Sequence, residues 1–95
     1  AEEAGAFGIV LECIPRGIAA RITAAIRIPT IGIGAGPHCD GQVLVTQDML
    51  GLTGASTPKF VRKFAELRRL ATSAIEEYIV AVREGNYPDE AHSHA

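Results

Sequence analysis

Two apolar runs, AFGIVLE at residues 6–12 and IPTIGI at residues 28–33, stand either side of one helix-length stretch, and this arrangement restricts the fold more than any other feature. A continuous apolar run of strand length is the pattern of a strand covered on both faces. Between the runs, Pro15 suits a first helical turn, where its missing N–H costs nothing. Ile18, Ala19, Ile22 and Ile26 then recur at helical spacing, with Arg21, Thr23 and Arg27 set towards water. Gly17 weakens this helix slightly, and Pro29 ends it. Strand, helix and strand within about thirty residues make a βαβ unit, so the two strands are expected parallel with a right-handed crossover.

GIGAGPHCDG follows at 32–41, and QVLV at 42–45 reads as a third short strand. Only about eight residues join it to the second, whereas a parallel pair usually needs roughly a dozen or more. Periodicity therefore leaves this join open between a hairpin and a very short crossover. DMLGLTGAS at 48–56 is loop-like, with room for one helical turn. Thr57 and Pro58 form an N-cap and first-turn pair for a helix lined by Phe60, Phe64, Leu67 and Ala71. The capping-box spacing of Ser73 and Glu76 predicts a break near Thr72 and a restart at Ala74. That last helix carries Ile75, Tyr78, Ile79 and Val82, stops at Gly85, and leaves a polar tail over 86–95.

Three strands and three or four helices in this order predict an α/β fold. Three parallel strands can neither close a barrel nor finish a doubly wound sheet, so residues 1–95 are expected to be part of one larger domain. The opening residues agree: Ala1–Ala4 read as the end of a helix, with Gly5 in the C-terminal capping place and no initiating Met.

Composition narrows the function classes. With 47% hydrophobic and 21% charged residues, the chain is ordinary globular protein. Its net charge of -2 supplies no field that would draw it to nucleic acid or to an anionic membrane. No apolar stretch is long enough for a membrane span. Cys13 and Cys39 are too few for a disulfide framework or a zinc site, which points to a reduced, cytoplasmic compartment.

Glu12 is the first candidate for chemistry, because it is a lone carboxylate where an apolar strand runs out. In parallel α/β sheets ligands gather at the carboxyl ends of strands. Apolar surroundings push a carboxyl towards a higher pKa, which suits a general base; a structural ion pair is the alternative. GIGAG at 32–36 lacks dinucleotide-site spacing, since Pro37 follows the third glycine directly. A tight turn is the favoured reading, with ligand contact as an addition. Asp40 and Asp48 flank the third strand, and either has the chemistry to hold Mg²⁺ or to cap a turn. His92 and His94 look like a metal pair but fall on the polar tail, where solvation is the simpler reading. Arg62, Lys63, Arg68 and Arg69 make a basic helix face, most simply a solvated one.

Taken in order, AGAFGIVLECIP, IPTIGIGAGPHCDGQVLV, DMLGL, PKFVRKFAEL and EGNYPDEAHS resemble the C-terminal part of the ketopantoate hydroxymethyltransferase family across essentially the whole chain. The resemblance implies a (β/α)₈ barrel of the phosphoenolpyruvate/pyruvate type whose sixth, seventh and eighth strands are 7–12, 28–33 and 42–46. It implies that Gly34–Gly41 is a degenerate crossover. It also implies transfer of a hydroxymethyl group from 5,10-methylenetetrahydrofolate to 3-methyl-2-oxobutanoate, giving 2-dehydropantoate for pantothenate and coenzyme A synthesis. In that chemistry Mg²⁺ chelated by the 2-oxo acid stabilises the enolate, and Glu12 matches the family's proton acceptor. The family's magnesium aspartates belong to earlier strands, so no metal ligand is assigned here and neither Asp40 nor Asp48 is promoted to that role. Terminal helices take part in oligomer contacts in the family, which implies a homo-oligomer and a partner for Ile75, Ile79 and Val82.

Thr46, Gly17, Ala91 and His94 depart from the family pattern, and none touches Glu12. Two other readings compete: a different Mg²⁺-dependent barrel acting on 2-oxo acids, and a non-catalytic remnant. The 95 residues alone are expected to be inactive, because they hold the proposed base without its metal site, and to expose apolar strand edges.

Overall fold

The chain folds in the order β1 (Ile9–Glu12), α1 (Arg16–Ala25), β2 (Thr30–Ile33), β3 (Gly41–Gln42), α2 (Thr46–Met49) and α3 (Leu67–Arg83), with a 3₁₀ turn at Glu90–His92. This computed structural model describes residues 1–54 and 56–95. The α/β class read from the sequence holds: a parallel sheet in the order β1-β2-β3, with α1 crossing between its first two strands.

Pro15 stands at the N-cap of α1, and its carbonyl accepts from the Ile18 and Ala19 amides. Ala19 is fully buried, and its small side chain lets the helix lie close on the sheet. It forms the core with Leu11 and Ala35, while Ile9, Ile14, Ile22 and Cys39 pack around them. Ile18, expected on the buried face, is half exposed instead.

Register sorts the strands into two faces. Ile9 pairs with Thr30 and Leu11 with Gly32 on the side of α1, whereas Val10 pairs with Ile31 and Glu12 with Ile33 on the other. The expectation that both faces are covered is corrected here. Val10 is 60% exposed, because α1 covers one face and no described element covers the second.

The join between β2 and β3 is a crossover: Ile31 pairs with Gly41 and Gly32 with Gln42 in parallel, across a connection of residues 34–40 alone. Asp40 closes it. Its Oδ2 accepts the Thr30 backbone N–H at 2.8 Å and the Thr30 hydroxyl at 3.3 Å, and its own amide donates to Thr30 Oγ1 at 3.1 Å. Thr23 on α1 completes the cluster, 2.9 Å from the same hydroxyl oxygen. The third strand is shorter than the expected 42–45. Val43 makes one further bond to Gly32, after which Thr46 already starts α2.

The expected helix after Pro58 is absent. Residues 58–61 make a single turn, and the Phe64, Leu67 and Arg68 amides are taken by the carbonyls of Met49, Leu50 and Gly51. Those bonds hold the segment to the loop after α2 until Leu67, where helix begins. The predicted break at Thr72 is also corrected. Helix α3 runs unbroken through it, the Thr72 hydroxyl donates to the Arg68 carbonyl one turn back, and Ser73 caps nothing. Gly85 ends α3 with φ 74°, its amide bonding Val82 and that of Asn86 bonding Ala81. These are the two bonds of a Schellman cap. No residue of α3 is buried, and the chain measures 65 × 30 × 16 Å.

Candidate active site

Glu12 ends β1, on the sheet face that α1 leaves open, beside Ile33 at the carboxyl end of β2. Its side chain is exposed. The apolar enclosure foreseen for it is therefore not provided by these residues. What they provide is an apolar floor, Val10, Ile31, Ile33 and Val43, with one carboxylate at its carboxyl-terminal rim.

The chain turns away immediately after Glu12. Cys13 has φ 53°, a left-handed conformation that few non-glycine residues adopt. Its amide still donates to the Ile33 carbonyl at 2.9 Å, so the ladder runs one residue past the strand before the backbone reverses into Pro15. Backbone outliers of this kind cluster at functional sites.

GIGAG is explained by close approach. Gly34 and Gly36 have φ of 66° and 79°. A Cβ on Gly34 would lie 2.8 Å from Phe60 Cδ1, and one on Gly36 2.5 Å from Arg16 Cβ. The Gln42 side-chain amide donates to the Gly36 carbonyl at 2.9 Å and holds the turn from below. Arg16, Lys59 and Phe60 thus meet around the loop, together with Cys13, in an open recess of about 660 Å³. Sequence reasoning missed these three residues, since the glycine contacts that gather them join distant parts of the chain. A separate recess of about 460 Å³, lined by Lys63, Arg68, Arg69 and Glu76 among others, shares no residue with the strand ends.

The other candidates fall elsewhere. Asp40 sits at the amino end of β3, bound to Thr30 at the amino end of β2, and so belongs to the opposite edge of the sheet from Glu12. Asp48, in α2, accepts from the Thr53 hydroxyl at 3.1 Å. His92 contacts Asp89 through Nδ1 on the tail, where Tyr87 lies against both Tyr78 and the His92 ring. The basic helix face is dispersed: Arg62 lies over the Phe64 ring, Lys63 is in the preceding loop, and only Arg68 and Arg69 are helical. Cys13 and Cys39 are free thiols. Among the described residues no three His, Cys, Asp or Glu side chains come together, so the Mg²⁺ implied by the resemblance finds no fitting ligand set here.

The carboxylate stands at the carboxyl end of a parallel α/β sheet, over an open apolar face, which is where proteins of this class gather small-molecule ligands. The comparisons with known proteins make this specific. The family model described as ketopantoate hydroxymethyltransferase matches residues 1–90, and the chain belongs to that family. It is 58% identical over 92 residues to the 3-methyl-2-oxobutanoate hydroxymethyltransferase of Geobacter metallireducens, covering 97% of this chain and 34% of that protein. The protein of the same name from Acidothermus cellulolyticus is 58% identical over 93 residues, covering 98% of this chain and 34% of its own length. That of Citrifermentans bemidjiense is 59% identical over 91 residues, 96% of this chain and 34% of its own. The chain thus spans about a third of the length of the curated relatives it matches.

Proposed function

We propose that β1, β2 and β3 are the sixth, seventh and eighth strands of a (β/α)₈ barrel of the phosphoenolpyruvate/pyruvate type, and that Glu12 is its general base. The complete protein would join 3-methyl-2-oxobutanoate, the one-carbon unit of 5,10-methylenetetrahydrofolate and water to give 2-dehydropantoate and tetrahydrofolate. The observation that carries this reading is the position of Glu12 alone on the rim of the open apolar face. The names of the relatives supply the 2-oxo acid and the hydroxymethyl group, and the folate donor is what the family resemblance implies.

In this proposal a Glu12 carboxylate oxygen takes the proton from C3 of the 2-oxo acid. The electron pair left on C3 forms the new bond to the one-carbon unit. The apolar floor lies beneath the carbon that must lose its proton, the rest of the enclosure falling to the remainder of the barrel, and the reversed backbone at Cys13 holds the carboxylate at the rim. Mg²⁺ would be the cofactor of the complete protein, with its ligands outside these residues. The 95 residues alone are expected to be inactive.

A homo-oligomer in the cytoplasm is part of the same reading. Its support is the exposed stripe on α3, where Ile75 and Tyr78 are 59% and 57% exposed. Among the described residues no helix is long and apolar enough to cross a membrane.

The test is a chimera in which these residues replace the matching third of the Geobacter metallireducens relative. Activity that requires methylenetetrahydrofolate, and falls at least about 100-fold in Glu12→Gln, supports the reading. Activity indifferent to the folate points to another 2-oxo acid enzyme, and a Glu12→Gln chimera as active as its parent removes Glu12 from the chemistry.

A further inference from the structure

Two cations converge on the recess beside Glu12, and nothing in the proposed chemistry has used them. Arg16 opens α1, and the close approach of Gly36 to its Cα and Cβ fixes where its side chain departs. Lys59 precedes Phe60, whose ring lies against Gly34. Both residues line the recess of about 660 Å³ that also holds Cys13, the residue after Glu12. Neither has a carboxylate partner, because the one ion pair among the described residues is Asp89 with His92. The recess itself contains no acidic side chain. Its size falls within the range of small-molecule sites.

We propose that Arg16 and Lys59 form an anion subsite that takes the carboxylates of the folate donor's γ-glutamyl tail. This rests on the function proposed above and adds the residues that recognise the donor. A reduced folate has a near-neutral pterin end, which carries the one-carbon unit, and a tail bearing two or more carboxylates. If the one-carbon unit is to reach a carbon deprotonated by Glu12, the tail must leave over the rim. The recess through Cys13, Gly34 and Gly36 offers that exit, with a cation from α1 on one side and a cation from the segment after α2 on the other. The missing Cβ atoms of Gly34 and Gly36 are what allow Phe60 and Arg16 to come this close to the loop.

The experiment is a calorimetric titration of the chain with tetra-γ-glutamate, which reads binding without catalysis. Binding is expected to weaken about fivefold in Arg16→Gln and again in Lys59→Gln, the size of two exposed charge contacts, and to fade with added salt. The charge-keeping Arg16→Lys and Lys59→Arg should retain it, as should Lys63→Gln, a residue of the separate recess of about 460 Å³. Loss of binding in the charge-keeping variants, no binding at all, or binding unchanged in the double Gln variant would overturn the subsite. Tighter binding of inorganic phosphate than of the oligoglutamate would overturn its assignment to a folate tail. Failure of the function is read separately, as absence of folate-dependent transfer by the chimera, whatever the titration gives.

Discussion

Asp40 and Thr30 hold one another by three hydrogen bonds, one side chain to backbone in each direction and one between the side chains. Thr30 is completely buried, whereas Asp40 is largely exposed. The carboxylate therefore reaches inward to satisfy the amide at the start of β2. Removing it strands that buried N–H. Asp40→Ala should lower stability by about 1–3 kcal/mol. In hydrogen exchange, Thr30 should lose protection more than Val10 or Ile31, and unchanged exchange at Thr30 would show the bond to be dispensable.

Gly36 should be less replaceable than Gly34. At Gly34 the clashing atoms belong to the Phe60 ring, which can move, while at Gly36 they include Arg16 Cα at 3.2 Å as well as its Cβ. Both positions also carry the left-handed backbone penalty of about 1 kcal/mol for a residue with a Cβ. Thermal unfolding should rank Gly36→Ala below Gly34→Ala, and Phe60→Ala should rescue part of the Gly34→Ala loss only. Equal rescue of both variants would show that Arg16 is not the obstacle.

Gly17 is the opposite case. It lies within α1 with open space where a Cβ would stand. Gly17→Ala should stabilise the chain by roughly 0.5–1 kcal/mol, read as a higher denaturant midpoint at unchanged slope. A lower midpoint would mean that the helix start needs the glycine.

Ser73 separates two accounts of α3. A capping serine replaced by alanine costs about 0.5–2 kcal/mol, but a serine inside a continuous helix gives way to a better helix former. Ser73→Ala should raise the helical signal in circular dichroism. Gly85→Ala, which forces a Cβ onto φ 74°, should lower it by fraying the last turn.

Local patterns carried the reading where the forces are local. Pro15, Pro29 and the apolar runs announce β1, α1 and β2, because chain stiffness and burial act within a few residues. The place of Glu12 followed from the same run. Residues 57–66 misled for a physical reason: Phe60 and Phe64 have helical spacing, but Phe60 is spaced to meet Gly34 and the Phe64 amide to meet Met49. Periodicity cannot register a partner more than a dozen residues away. Asp40 and Asp48 were equally ambiguous as letters. It took Thr30 and Thr53 to show what each carboxylate does.

The connection over residues 34–40 bears on the order of assembly as well as on the finished sheet. Pairing β2 with β3 closes a loop of these residues alone, whereas pairing β1 with β2 must close residues 13–29. Loop-closure entropy grows with the logarithm of length, so the shorter closure is favoured by about 0.8 kcal/mol before any contact is counted. The Thr30–Asp40 clasp spans that shorter connection, tying its last residue back to the start of β2. The seed of the sheet is therefore expected at its far strand pair, with β1 and its terminal carboxylate arriving last on a surface already formed.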